Sequence, residues 1–228
     1  MRRILITGGG SGLGEAVAAL SVAAGDRVGL VGRSLDKLEA AQSRVGGRGA
    51  IDLFPVDVRD RPAVSAAVDR FRPDALVCCA AILARSDFWA AEADTAFDEA
   101  IAINLVGTQT CCVAAMRDWR ARAITGDIVN VASLAGIRGR QLFTGFSAYA
   151  SSKHAVVGLT EALALEGRPL GIRVNAVAPG AFASEMTRQL GFVTDRQPVT
   201  VAAIVRTLLD RAQTGALNGT TIEVENDE

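Results

Sequence analysis

Short apolar runs rich in β-branched residues recur along the chain at 3–7, 27–31, 51–56, 75–79, 127–131, 173–178 and 221–224. Between them lie longer stretches, 12–24, 34–45, 61–71, 94–119, 148–166 and 199–212, whose apolar positions repeat nearer every 3.6 residues than every 2. The first set predicts seven strands and the second predicts helices. Parallel neighbours need crossover helices, and right-handed crossovers put those helices on both faces, so the alternation predicts an α/β fold with a doubly wound parallel sheet. No linker, charge block or repeat interrupts the pattern, and one domain is expected over residues 1–228. The segments 136–147 and 185–197 lack clear periodicity and are expected to be loops. Both follow strands, and ligands of open α/β sheets sit beyond the strands' carboxyl ends.

Composition narrows the class of partner. Of 228 residues half are apolar, few are aromatic, and the formal charge is -1. Without a broad field of one sign, neither nucleic acid nor an anionic bilayer is an expected partner, and a small molecule is. The start of the chain runs straight into a Gly-rich turn without a secretory signal, and no apolar run approaches the roughly 18 residues of a membrane span. The expected location is cytoplasmic. Cys78-Cys79 and Cys111-Cys112 are adjacent pairs with no metal-ligand spacing, so buried thiols are expected and no metal site.

The first strand leads directly into Thr7-Gly8-Gly9-Gly10-Ser11-Gly12-Leu13-Gly14, which opens the first helix. Glycines there let the chain turn tightly and bring backbone N–H groups to a pyrophosphate, which the helix dipole favours. The spacing of this turn resembles that of the short-chain dehydrogenase/reductase family. Further motifs fall in that family's order: Asp57-Val58 after the third strand, Asn104 in Ile-Asn-Leu, Ser133 after Ile-Val-Asn-Val-Ala, Tyr149-Ala-Ser-Ser-Lys153, and Asn175 to Pro179-Gly180. The resemblance spans about 4–224 and implies a Rossmann-like fold, an oxidoreductase, and a homodimer or homotetramer.

The end of the second strand bears on the cofactor. Gly32 stands where family members that use NAD carry Asp, and Arg33 follows it. A carboxylate there would accept from the ribose hydroxyls, whereas an arginine can pair with a 2′-phosphate, so NADP(H) is expected over NAD(H). Ser11 occupies a position where some NADP-using relatives carry a basic residue. The cofactor set expected from the turn and the resemblance is Gly8, Gly10, Ser11, Gly12, Leu13, Gly14, Arg33, Ser34, Asp57, Val58, Cys79, Ala80, Ala81, Tyr149, Lys153, Pro179, Gly180, Phe182 and Ser184.

Tyr149 and Lys153 stand one helical turn apart and share a face. A neighbouring ammonium is expected to lower the phenol's pKa toward working pH, where acid–base catalysis is most effective. By resemblance, Tyr149 exchanges a proton with the reacting oxygen, Ser133 polarises that oxygen, Lys153 also holds the nicotinamide ribose, and Asn104 positions a water that links Lys153 to solvent. The implied reaction moves a hydride between nicotinamide and a carbonyl or secondary alcohol. His154, the single histidine, points about 100° away from Lys153 around the helix and is placed at the surface or a subunit contact, which disfavours a Ser/His/Asp hydrolase. Glu223 and Glu225 are read as solvated.

The chain departs from the family pattern in three places. Cys78-Cys79-Ala80-Ala81 stands where relatives carry Asn-Asn-Ala-Gly. The interval from Ser133 to Tyr149 is longer than usual, and the ending lacks the common Asp-Gly-Gly. The short segment beyond Ser184, with Met186, Leu190 and Phe192, is expected to form a small apolar lid suited to a modest hydrophobic ketone. Other functions remain open: a dinucleotide-binding regulator without turnover, a relative using the site for non-redox work, or an NAD(H)-dependent alcohol dehydrogenase.

Overall fold

A computed structural model describes residues 1–47, 49–83, 85–140, 143–189, 191 and 194–225. Its strands are β1 (Arg3–Thr7), β2 (Arg27–Gly32), β3 (Ile51–Pro55), β4 (Ala75–Cys78), β5 (Gly126–Val131), β6 (Ile172–Pro179) and β7 (Thr221–Val224). They form one parallel sheet in the order β3-β2-β1-β4-β5-β6-β7. The strand order reverses between β1 and β4, which opens a crevice at their carboxyl ends.

The helices are α1 (Gly12–Ala23), α2 (Leu35–Val45), α3 (Arg61–Phe71), α4 (Ala93–Ala100), α5 (Thr108–Arg122), α6 (Ser147–Gly167), α7 (Glu185–Gln189), α8 (Pro198–Leu209) and α9 (Arg211–Thr214). Successive strand residues supply opposite cores, as the two-residue period demands. Ile4 and Ile6 of β1, with Ala75 and Val77 of β4, pack beneath α1, α2 and α8. Leu5, Leu76, Cys78 and Ile128 face α3, α5 and α6 instead. Ile4, Leu5 and Ile6 are almost fully buried, each worth roughly 1.5–3 kcal/mol in apolar transfer.

Three expectations about helices need correction. The run expected as a single α-helix over 94–119 is two α-helices joined by a π-helical turn, Ile101–Gly107, which contains Asn104. The last helix stops at Leu209, because Asp210 turns extended and its carboxylate caps α9 by accepting from the Ala212 N–H at 2.9 Å. The segment 185–197 is not all loop, since it begins with α7. The composite helix Ala93–Arg122 has the length and hydropathy of a membrane span, although no uninterrupted apolar run suggested one. More than half of its most apolar window is buried in the protein, where Cys111, Cys112, Ala115 and Trp119 pack in the core.

Candidate active site

The glycine turn is held by close contacts that no side chain could share. Gly8 has φ +66°, and a Cβ there would lie 2.9 Å from the Ala80 nitrogen; one on Gly14 would lie 2.4 Å from the Gly8 oxygen. Thr7 joins this turn to the next: its hydroxyl accepts from the Ala80 N–H at 3.1 Å, and its carbonyl from the Cys79 N–H at 3.2 Å. Ser11 precedes α1 in extended backbone and makes no side-chain cap. The first-turn N–H groups of a helix have no intrahelical partner, so this uncapped glycine end fits a phosphate group.

Beyond the strand ends lies a cleft of about 1180 Å³. It brings together Gly8, Ser11, Gly12, Leu13, Gly14, Arg33, Asp57, Val58, Cys79, Ala80, Ala81, Ser133, Tyr149, Lys153, Pro179, Gly180, Phe182 and Ser184. Three expected site residues do not line it. Gly10 faces a smaller hollow behind the turn. Ser34 caps α2 instead, its hydroxyl accepting from the Lys37 N–H at 3.3 Å. Asn104 is fully buried behind the wall.

Tyr149 and Lys153 lie on the first turns of α6. The Lys153 side chain is buried and its ammonium donates to the Val131 carbonyl at 2.7 Å, just before Ser133. The same nitrogen stands 5.7 Å from the centre of the Tyr149 ring. The expected lowering of the phenol's pKa does not occur: burial pushes Tyr149 above its ordinary value, and a hydrogen bond with Ser133 pulls only partly the other way. Burial also drives Lys153 down, to about 8. A buried ammonium thus sits beside a half-buried phenol whose pKa lies above the ordinary value.

Asn104 acts on this pair indirectly. Its amide donates to the Ile82 carbonyl at 2.9 Å and to Ser152 Oγ at 3.0 Å, and its oxygen accepts from the Ile82 N–H at 2.8 Å. Ser152 in turn donates to the Tyr149 carbonyl at 2.7 Å. Both amide donors are therefore engaged with protein. Asp57 is also engaged, in an ion pair with Arg59 at 2.7 Å, and this contact holds its carboxyl below the usual range. The Ser184 hydroxyl accepts from the Thr187 N–H at 3.1 Å at the start of α7.

Cys79 and its neighbours behave as small apolar groups. All four cysteines are free, and burial pushes the Cys79 thiol up to about 12, far from the thiolate range. At the outer end of the cleft Ile82, Leu83, Phe143, Phe146 and Met186 form a largely apolar wall. Met186 was expected there, while Leu190 and Phe192 lie outside the described residues. Glu223 and Glu225 are not merely solvated, since both pair with Arg140, at 2.6 and 2.7 Å, tying the loop before α6 to the end of β7. Sequence reasoning missed Thr7, Lys37 and the two phenylalanines; only the position of Lys37, one turn beyond Arg33, offered a signal.

Residues 2–192 match the family model described as short chain dehydrogenase. The chain belongs to the short-chain dehydrogenase/reductase family. Levodione reductase of Leifsonia aquatica is 39% identical over 197 residues, covering 81% of this chain and 71% of that protein. The rat (Rattus norvegicus) (3R)-3-hydroxyacyl-CoA dehydrogenase is 34% identical over 202 residues, 82% of this chain and 76% of that one. Among solved structures, ElxO with NADP bound superposes with a TM-score of 0.86 at 28% identity, covering 98% of this chain and 97% of that one. The protein is thus a short-chain dehydrogenase/reductase, an oxidoreductase of alcohol and carbonyl groups on small molecules that uses a nicotinamide cofactor.

Proposed function

We propose that this short-chain dehydrogenase/reductase is an NADP(H)-dependent carbonyl reductase for a small, largely apolar ketone or aldehyde, reversible to the secondary or primary alcohol. The observation that carries the reading is the buried Lys153 ammonium beside the half-buried ring of Tyr149 in the cleft, 5.7 Å from its centre, with Ser133 next to the phenol. A bound nicotinamide supplies or accepts the hydride. Gly8, Ser11, Gly12, Leu13 and Gly14 would cradle the pyrophosphate, Arg33 would face the adenine ribose, and Pro179, Gly180, Phe182 and Ser184 would border the nicotinamide end.

The proton is the protein's contribution. A phenol is protonated at neutral pH and the shift at Tyr149 is further upward, so the group is in the form that gives its proton to a carbonyl oxygen. Ser133 holds that oxygen and Lys153 supplies the nearby charge that stabilises the phenolate left behind. Asn104 is a positioning residue, fixing through Ser152 the backbone from which Tyr149 projects. The apolar side chains of the wall suit an apolar substituent. Arg33 at the tip of β2, where no carboxylate opposes a phosphate, supports NADP(H), as does the likeness to an NADP-bound structure.

A panel of ketones and aldehydes assayed with NADPH and NADH tests the reading. NADPH oxidation with an apolar carbonyl, lost in Tyr149→Phe, is the expected result. Tight cofactor binding with no turnover across the panel would assign the protein to regulation instead.

A further inference from the structure

Behind the glycine turn lies the second hollow, about 660 Å³, and Lys37 and Glu185 line both it and the main cleft. Their ion pair stands between the two spaces, with Lys37 Nζ 2.8 and 3.2 Å from the carboxylate oxygens. It bridges the first turn of α2 and the first residue of α7. Lys37 also packs on the turn itself, since a Cβ built on Gly10 would lie 3.2 Å from the Lys37 Cβ. Ser11, the next residue of the turn, is uncharged. The cation that the turn lacks at Ser11 is therefore available from α2, in a cleft that Arg33 also lines.

We propose that Lys37 is the second cation of the 2′-phosphate subsite, and that a 2′-phosphate takes its ammonium from Glu185. The proposal rests on the NADP(H) reading above and adds to it the residue that completes the preference. The pair is well placed to be exchanged. Both side chains are about half exposed, at 58% and 47%, and ion pairs this solvated contribute little to stability. A phosphate carries roughly twice the charge of a carboxylate and offers more acceptor oxygens. Once the phosphate holds Lys37, the Glu185 carboxylate is left near a second anion. Glu185 should then weaken NADPH binding while leaving NADH, which lacks that phosphate, untouched. Lys37 and Glu185 thus have opposite effects on one cofactor.

Equilibrium titration of the full chain with NADPH and with NADH tests this without any turnover. Lys37→Met should weaken NADPH about tenfold and NADH less than about twofold, the size of one lost charge-assisted contact. Glu185→Gln should tighten NADPH by about threefold through loss of a like charge and leave NADH unchanged. Lys37→Arg should keep most of the NADPH affinity. If the pair is only a brace between α2 and α7, Lys37→Met and Glu185→Gln will instead move both cofactors in the same direction, and the proposal falls. Wild-type protein binding NADPH no tighter than NADH would overturn the underlying NADP(H) reading. A wild-type preference that Arg33→Ala erases and Lys37→Met leaves intact would overturn Lys37's role alone.

Discussion

The two ends of the sheet treat polar residues in opposite ways. At the amino ends of the strands, charges are spent on one another. Asp127, at the start of β5 and 3% exposed, takes Arg2 at 2.7 Å, Arg173 at 2.8 Å and Arg211 at 3.0 Å. Asp26, before β2, takes Arg206 at 2.6 Å, and Arg27 pairs with Asp52 of β3. At or just past the carboxyl ends of β1, β2, β4, β5 and β6 lie Gly8, Gly32, Cys79, Ser133 and Gly180, all bordering an open cleft. There Lys153 of the reacting centre is buried, and among the described residues no carboxylate pairs with it. One end of β5 thus uses its polar groups to hold the fold, and the other leaves them for a ligand.

Substitutions should separate these ends. The largest effect is expected from Tyr149→Phe, which should lower turnover by about 10²–10⁴-fold, the usual worth of a general acid. Its thermal midpoint should move little, since only one hydrogen bond is lost. Asp127→Ala should do the reverse. Leaving Arg173 buried without its partner should cost roughly 3–5 kcal/mol in a denaturation experiment, while activity per folded molecule stays near wild type. If Asp127→Ala removed activity from a fully folded protein, the division between the ends would be wrong.

Lys153 links function to stability through pH. Its pKa of about 8 in the fold lies below the ordinary 10.5, so below pH 8 both states hold the proton and the fold carries the full penalty. Between about 8 and 10.5 the unfolded chain retains a proton the native state has lost, and stability should rise with pH. Measured against Lys153→Met, which has no such titration, wild type should gain up to roughly 3 kcal/mol across that window at about 1.4 kcal/mol per pKa unit. A flat difference between the two melting profiles would contradict the desolvated ammonium. The smallest of these effects is Arg33→Ala, expected to weaken NADPH about tenfold and NADH far less. Equal losses for both cofactors would show that Arg33 does not read the phosphate.

Much of this was legible in the chain because it is local. The two periodicities place every strand of the sheet within a residue or two, and β1 and β7 fall at their expected bounds. The glycine turn and the Tyr149–Lys153 spacing are each contained in one short segment. What escaped depends on residues far apart. Asp127 and Arg2 are separated by 125 positions, and nothing in either segment announces the other. The π turn at Asn104 leaves the apolar pattern helical while changing where its side chain points. The phenol's pKa was misjudged because spacing reports that Lys153 is near, whereas burial decides which form is favoured. Lys37 was overlooked because its contact with Glu185 crosses from α2 to α7, a helix too short to show a period.

The central claim is that the Tyr149 phenol delivers the proton while hydride passes to the substrate carbonyl. It is tested most directly with NADPH deuterated at the transferring position of the nicotinamide and a carbonyl that wild type reduces. Wild type should place deuterium on the carbinol carbon, and Tyr149→Phe, with NADPH bound at normal affinity, should place almost none there in the same time. Label appearing at the wild-type rate in Tyr149→Phe would contradict the account.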